Sequence, residues 1–300
     1  MARRAPAVLL AMALAAMQAH PATTMKTGIT STSFLTSDGV RLHVLEACPP
    51  GAPAPGSLSP VIGFVPGWSM PAAIWREQLL ALGAKHCVAA LDPRGQGESE
   101  IAPGGYTLAR RAEDLREFAA RYPRLVLVGW SLGALEALEY VHRHGAAGLE
   151  ALVLVDTSVG EDPQPPSAGG FFDALKNDRR AAVEDFVRAT FRSPRAPAEI
   201  AALTDAALRL PLEASLSLFP RSTPREHWRG IARAFPKPLL YVVSAQFAAQ
   251  AETLKRNRPG TRVAVFEDAG HALFVDEPGR FNALLAQFVA DIEGPARAAH

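Results

Sequence analysis

The sequence predicts an α/β fold with a mainly parallel sheet, interrupted by a helical insertion. Short apolar stretches typical of buried strands alternate with stretches of helical periodicity over most of the 300 residues, which is the pattern of a parallel sheet with crossover helices. Between Val159 and Pro238 the alternation stops and only helical patterns follow. A hydrophobic fraction of 48% supplies enough apolar side chains for a large core, which excludes disorder as the dominant state.

The first residues have the composition of a secretory signal peptide. Arg3 and Arg4 precede an apolar run over residues 5–17, and small residues follow, which is the order typical of such a leader. We therefore expect a signal peptide over residues 1–25 and a periplasmic or secreted mature protein. The alternative is a start at Met25, which would give a cytoplasmic protein. No other stretch approaches the roughly 18 apolar residues of a membrane span, so we expect no membrane segment in the mature form.

The predicted strands are short and mostly apolar, as strands buried on both faces of a parallel sheet are. They cover residues 40–47, 61–65, 87–91, 125–129, 151–156, 239–244 and 262–267. The first of them alternates apolar and polar side chains, which indicates one covered face. Helical periodicity lies between several of these runs, at residues 73–82, 107–121, 131–144 and 278–292.

The insertion divides the chain into two predicted units. Five helical stretches occupy it, at residues 171–177, 179–191, 198–210, 212–218 and 225–234. We assign residues 159–236 to the insertion, and residues 26–158 and 237–300 to the main domain. An insertion that leaves the carboxyl ends of the strands would lie over the crevice where open α/β sheets bind ligands. It is therefore expected to form a cap.

Charge and cysteine content exclude several classes of protein. Lys and Arg number 31 and Asp and Glu number 30, so the chain lacks the concentrated positive field that nucleic-acid binding needs. Two cysteines are too few for a disulfide-rich scaffold or a zinc site of four thiolates. The His, Cys and Asp residues form no cluster with metal-ligand spacing. We expect no metal and no cofactor.

The main chemical signal is Gly129-Trp130-Ser131-Leu132-Gly133. A predicted strand leads directly into this Gly-x-Ser-x-Gly motif and a predicted helix leads out of it. That context is the nucleophile elbow, in which a sharp turn lifts a serine hydroxyl clear of the backbone. The helix N-terminus adds N–H groups and the positive end of its dipole. An ordinary tight strand–helix turn is the alternative interpretation.

The order of motifs resembles the α/β-hydrolase fold family over about residues 33–289. Residues 61–68 resemble the loop that supplies the first oxyanion donor, and residues 91–99 resemble the Asp-x-Arg-Gly-x-Gly-x-Ser loop. Residues 269–278 resemble the loop that carries the catalytic histidine. The resemblance implies a mostly parallel eight-stranded sheet flanked by helices, with an inserted helical cap. It also implies that Ser131 is the nucleophile and His271 the base.

The family pattern places the oxyanion hole at two backbone N–H groups, those of Trp68 and Leu132. Gly67 allows the chain to approach a substrate closely. Trp68 and Trp130 are expected to line the acyl pocket. The sequence has Pro66 where the family commonly has histidine, but the donors are backbone groups and do not require that side chain.

The acidic member of the triad departs from the usual family pattern. Its common position, after the strand that follows the cap, falls near Phe247, where no carboxylate is present. A minority of the family places the acid one strand earlier, and Asp156 occupies that position, so we assign Asp156 as the acid. Asp268 and Glu136 are alternatives, and so is a dyad without an acid, because the acid mainly orients and stabilises the imidazole.

The family's sheet also suggests a disulfide. In that sheet the strand ending near Cys48 runs antiparallel beside the strand beginning at Cys87, which brings the two sulfurs together. We expect a Cys48–Cys87 disulfide if the protein is exported. Two buried free cysteines are the alternative.

These features predict a serine hydrolase that cleaves a small carboxylic ester or thioester through an acyl-enzyme. A perhydrolase, a lactonase and a C–C bond hydrolase would use the same residues and remain alternatives. A ligand-binding protein without activity is the alternative from another class, and the empty acid position near Phe247 motivates it. The expected partner is a small ester-type molecule, and the sequence does not predict the oligomeric state.

Overall fold

A computed structural model describes residues 23–24, 28–165 and 170–297, and within them nine strands form one sheet. The strands are β1 (Thr23–Thr24), β2 (Thr30–Leu35), β3 (Arg41–Ala47), β4 (Val61–Val65), β5 (Val88–Asp92), β6 (Leu125–Trp130), β7 (Leu149–Val155), β8 (Leu239–Ser244) and β9 (Arg262–Phe266). Their order is β1-β2-β3-β5-β4-β6-β7-β8-β9. The pairs β1–β2, β2–β3 and β3–β5 are antiparallel, and the other five pairs are parallel. The mostly parallel sheet is confirmed: eight strands have five or more residues, and the short β1 extends one edge.

Helices cover both faces of the sheet. They are α1 (Arg76–Gly83), α2 (Leu108–Ala119), α3 (Leu132–His144), α4 (Phe171–Asn177), α5 (Arg179–Ala189), α6 (Pro197–Leu208), α7 (Leu212–Ser217), α8 (Arg225–Ala234), α9 (Ala248–Asn257), α10 (Leu273–Asp276) and α11 (Pro278–Arg297). Two 3₁₀ turns, Ala72–Trp75 and Ala245–Phe247, precede α1 and α9.

Burial on both faces explains why the central strands are continuously apolar. In β6, Val126 and Val128 belong to the apolar cluster on one face, which also takes side chains from α1, α11 and the insertion. Leu125 and Leu127 belong to the cluster on the other face, with side chains from α2, α3, α8 and α9. All four are at most 1% exposed, because successive side chains of a strand point to opposite faces.

The insertion lies between β7 and β8 and is helical, as expected. Its last helix, α8, packs against α3 of the main layer, and Trp228 and Ile231 of α8 are buried in the cluster beneath it. We therefore use the name cap for residues 170–224, which contain α4 to α7. The domain bounds given above stay a prediction.

The sequence pattern did not predict two elements, β2 and α9. β2 has the sequence Thr-Ser-Thr-Ser-Phe-Leu and only half-buried or exposed side chains, so it lacks the apolar signal of the other strands. α9 follows β8 directly and carries few large apolar residues. The predicted signal peptide, residues 1–25, lies outside the described residues except for Thr23 and Thr24.

A disulfide joins Cys48 and Cys87, which confirms the predicted pairing. Ala47, the last residue of β3, pairs with Val88, the first residue of β5, in an antiparallel register. This register places the two neighbouring cysteines side by side, with their Cα atoms 4.1 Å apart. The cross-link therefore connects the antiparallel edge of the sheet to its parallel part.

Candidate active site

Ser131 lies at the turn between β6 and α3, with φ 55° and ψ −119°. A residue other than glycine seldom adopts this strained backbone conformation, and such strain concentrates at functional sites. The flanking glycines leave room for the turn. A Cβ on Gly129 would lie 2.5 Å from the carbonyl oxygen of Gly133, and a Cβ on Gly133 would lie 2.5 Å from that of Pro66. No side chain fits at either position without moving backbone.

His271 lies in the loop after β9 and pairs with Asp156. The His271 Nδ1 is 2.8 Å from the Asp156 Oδ2. The Asp156 side chain is fully buried, whereas 26% of the His271 side chain is exposed. The other carboxylate oxygen of Asp156 accepts the backbone N–H of Ser244 at 2.6 Å. Asp156 is thus fixed from both sides, and the Nε2 of His271 is left for another partner.

The other carboxylates that the sequence offered have different surroundings. Asp268 is exposed in the loop that follows β9. Glu136 is buried on α3, 2.9 Å from the guanidinium of Arg111. Burial raises the pKa of Glu136, and Arg111 opposes that rise. Among the three candidate acids, the structure brings Asp156 to His271.

Hydrogen bonds hold the serine and the histidine at the carboxyl ends of the parallel strands. The N–H of Ser131 donates to the carbonyl of Val155 at 2.9 Å, directly before Asp156. The indole N–H of Trp130 donates to the carbonyl of His271 at 2.9 Å. The loops after β6, β7 and β9 therefore converge where strands of a parallel sheet end, which is where such folds bind ligands.

The predicted oxyanion loop lies against the nucleophile. A Cβ on Gly67 would lie 3.2 Å from the Cβ of Ser131, so glycine permits this close approach. Leu132 is the first residue of α3, where a backbone N–H has no acceptor within its own helix. The N–H groups of Trp68 and Leu132 thus belong to the two segments that flank Ser131.

The two tryptophans differ in their surroundings. The Trp68 indole N–H donates to the Ser215 carbonyl of the cap at 2.8 Å. Its ring packs against three aromatic rings at centroid distances of 5.1–5.5 Å, namely those of Phe171, Phe186 and Phe219. Trp130 is 1% exposed, and its ring lies 5.1 Å from the His271 ring. Trp130 thus contacts His271 through both its ring and its indole N–H, and the expectation that Trp68 and Trp130 line the acyl pocket stays a prediction.

A second chain of serine, histidine and aspartate lies at the antiparallel edge. His43 lies 2.7 Å from Ser31 through Nε2 and 2.7 Å from Asp92 through Nδ1. The His43 side chain is only 12% exposed. Ser31 lies inside β2, not at an elbow, and Asp92 also accepts the N–H groups of Ala72 and Glu98. This Ser31–His43–Asp92 chain therefore braces the loops that contain Ala72 and Glu98. The facing positions of His43 in β3 and Asp92 in β5 are the feature that could have predicted it.

Gln96 is a site residue that sequence reasoning missed. It is 1% exposed, and its side-chain amide donates to the carbonyls of Gly67 and Met70 at 3.1 and 2.8 Å. Its oxygen accepts from Arg111 at 3.2 Å, and Arg111 pairs with Glu136 of α3. A buried polar chain thus connects the oxyanion loop to the helix behind Ser131.

Metal-binding clusters and membrane-spanning helices are both absent from the described part of the chain. Among those residues, no group of three or more His, Cys, Asp or Glu side chains is arranged to hold a metal ion. Over the same residues, no helix combines the length and apolar character needed to cross a bilayer.

Comparison with known proteins agrees with this architecture. The model of the Alpha/beta hydrolase family matches residues 64–284. The chain belongs to this family. It is 28% identical over 246 residues to a pimeloyl-[acyl-carrier protein] methyl ester esterase of Aeromonas hydrophila subsp. hydrophila, a match covering 77% of this chain and 95% of that protein. The esterase of the same name from Vibrio atlanticus is 29% identical over 253 residues, covering 76% and 94%.

Solved hydrolase structures have the same fold. A candidate aryl esterase from Burkholderia cenocepacia superposes with a TM-score of 0.76 at 26% identity, covering 88% of this chain and 99% of that one. The coverage extends beyond residues 64–284 of the family match, so the similarity includes most of the sheet and of the helices around it.

Proposed function

We propose that this member of the hydrolase family is a serine hydrolase that cleaves a small carboxylic ester or thioester through an acyl-enzyme. One observation carries the proposal: the buried Asp156 carboxylate is 2.8 Å from His271, at the carboxyl ends of the parallel strands, where the strained Ser131 directly precedes α3. Nucleophile, orienting acid and base follow one another along the chain in the order Ser131, Asp156 and His271, as in α/β-hydrolases.

The geometry supports a two-step mechanism. Ser131 attacks the ester carbonyl while the Nε2 of His271 accepts its proton, and Asp156 holds the Nδ1–H tautomer and stabilises the imidazolium. The N–H groups of Trp68 and Leu132 would stabilise the tetrahedral oxyanion. His271 then protonates the leaving alcohol or thiol, and the acyl group stays on Ser131. Water, deprotonated by His271, hydrolyses the acyl-enzyme and frees the acid.

The aromatic side chains of the cap favour a substrate with an uncharged, apolar group. Trp68, in the oxyanion loop, contacts a cluster of half-buried phenylalanines of the cap, Phe171, Phe186 and Phe219. A small alcohol group is favoured by the names of the relatives, which are methyl ester esterases. We therefore propose a methyl or similarly small ester of an apolar acid as the substrate class.

An ester panel of graded acyl length tests the proposal, run on wild type and on Ser131→Ala. Wild type should hydrolyse at least one short-alcohol ester and bind a fluorophosphonate covalently, whereas Ser131→Ala should do neither. Ser31→Ala is the matched control, because Ser31 is also bonded to a histidine and should still label. If folded wild type and Ser131→Ala behave alike, the chain is a ligand-binding protein and not a hydrolase.

We also propose that the protein is exported to an oxidising compartment. The Cys48–Cys87 disulfide supports this, because disulfides persist mainly outside the cytosol. Fusion of residues 1–25 to a reporter that is active only after export should give signal. No signal, together with two free thiols in the native protein, would favour the start at Met25.

A further inference from the structure

The carboxylate of Asp276, at the end of α10, accepts four hydrogen bonds from two different parts of the chain. Its Oδ2 accepts the backbone N–H groups of Gly270 at 2.8 Å and Arg192 at 2.9 Å. Its Oδ1 accepts the backbone N–H of Ser193 at 3.0 Å and also the Ser193 hydroxyl. Four is the full accepting capacity of a carboxylate.

The two parts are the histidine loop and the cap. Gly270 directly precedes His271, and residues 192–193 lie in the connection between α5 and α6. A Cβ on Gly270 would lie 2.7 Å from the backbone nitrogen of Arg192, so the two backbones pass in contact. A carboxylate thus satisfies donors that face one another at this crossing.

Further contacts tie the same two segments together. The N–H of Ala272, directly after His271, donates to the carbonyl of Thr190 at 2.9 Å. The Arg195 guanidinium donates to the carbonyl of Val275 at 2.7 Å. The backbone on both sides of His271 is therefore attached to the connection between α5 and α6.

This anchoring matters because the imidazole itself is held by few groups among the described residues. It makes one hydrogen bond there, to Asp156, and its ring lies beside that of Trp130, while the His271 carbonyl accepts from Trp130. We propose that Asp276 is a positioning residue, which fixes the histidine loop against the cap so that the His271 Nδ1 meets Asp156. The proposal rests on the hydrolase function proposed above and adds to it a coupling between cap and catalytic base.

The ionisation of Asp276 agrees with this role. Burial would raise its pKa, but the hydrogen bonds from Ser193, Arg192 and Gly270 outweigh burial and hold the pKa below its usual range. At neutral pH the group is therefore an anion whose four acceptor sites are all occupied. An amide cannot reproduce this arrangement, because its NH₂ group donates where one carboxylate oxygen accepted two hydrogen bonds.

Asp276→Asn is the direct test, and Glu277→Gln is its matched control. Glu277 is the next residue and pairs with Arg280 at 3.1 Å, so its replacement removes a charge without touching the crossing. The low-field NMR resonance of the His271 Nδ1–H, assigned by its loss in Asp156→Asn, reports the His271–Asp156 bond whether or not a substrate is known. It should broaden or disappear in Asp276→Asn and persist in Glu277→Gln.

Kinetics provides the second readout. In Asp276→Asn we expect kcat to fall by up to about 100-fold, since a displacement of about 1 Å has this effect, while KM stays within about twofold. Ser193→Ala removes one of the four bonds and keeps the carboxylate. It should lower kcat about two- to fivefold with a thermal midpoint close to that of wild type, and it keeps the test available if Asp276→Asn does not fold.

The outcomes separate this inference from the proposed function. If wild type cleaves no ester, the function fails, and the resonance still decides the role of Asp276. The inference is overturned if Asp276→Asn keeps the resonance and the wild-type kcat. It is also overturned if Asp276→Asn and Glu277→Gln lose activity equally, or if Ser193→Ala changes only the thermal midpoint.

Discussion

Replacement of Asp156 by asparagine should nearly abolish activity while leaving the fold intact. The reason lies in the second contact of the side chain. The Ser244 N–H donates to one oxygen of Asp156 at 2.6 Å, and in Asp156→Asn this donor keeps the amide oxygen on its side. The amide NH₂ must then face the His271 Nδ1, which accepts a proton only in the opposite tautomer. The Nε2 would carry hydrogen and could not accept the proton of Ser131.

The expected loss follows from the tautomer and the missing charge. Presentation of the wrong tautomer in such a triad typically lowers kcat by about 10⁴-fold, which corresponds to about 5 kcal/mol of transition-state stabilisation. KM should change little, because Asp156 is fully buried and contacts histidine and not substrate. Thermal unfolding should remain cooperative, since both hydrogen bonds of the side chain persist in Asp156→Asn.

Initial rates on the preferred ester, corrected by titration of intact Ser131, measure this effect. Asp268→Asn is the matched control, because Asp268 is exposed and close to His271 in sequence, and it should keep wild-type kcat. The assignment is wrong if Asp156→Asn retains more than about a tenth of wild-type kcat, or if Asp268→Asn loses more activity than Asp156→Asn. The first result would favour a dyad without an acid.

Three other predictions concern stability and the elbow. Reduction of Cys48–Cys87 should cost about 4 kcal/mol, from the chain-entropy estimate for a sequence separation of 39; urea unfolding with and without reductant measures it, and equal midpoints would contradict it. Gly133→Ala should give inactive or insoluble protein, because its Cβ would lie 2.5 Å from the Pro66 oxygen; normal labelling by a fluorophosphonate would refute this. The lowered pKa of Asp276 stabilises the fold above the ordinary aspartate pKa of about 3.9, and this stabilisation is lost as pH falls through the lower, folded value. The stability gap between wild type and Asp276→Asn should therefore narrow on acidification, and a gap that is constant from neutral pH to below about pH 3 would contradict it.

The central strands could be predicted because their burial is uniform. β4 (Val61–Val65) and β8 (Leu239–Ser244) have the bounds expected from sequence, and every residue in them is buried. Asp156 was reached by topology: it directly follows β7, next to the strand of the elbow. Because the carboxyl ends of neighbouring parallel strands lie side by side, a residue at such an end lies near the site whatever path the following loop takes.

Other features depend on contacts between distant segments, which no local pattern encodes. The polar strand β2 exists because β3 offers it a ladder of hydrogen bonds. Trp130 follows from the elbow motif as a neighbour of the nucleophile, but its contact with Phe274 joins segments far apart in sequence. Asp276 ends the short helix α10 and Gln96 lies in a loop, and each has a partner far along the chain, Arg192 at 84 residues from Asp276 and Gly67 at 29 residues from Gln96.

The Cys48–Cys87 bond closes a covalent ring that contains β4, the oxyanion loop and α1. Ser131, Asp156 and His271 lie outside this ring. A protease that cuts the loop at residues 49–60, where Leu58 is 73% exposed, would leave both fragments joined through the sulfurs. The nicked enzyme would keep β1 to β3 covalently attached, whereas the same cut in the reduced chain would leave these strands held to β5 by hydrogen bonds and packing alone.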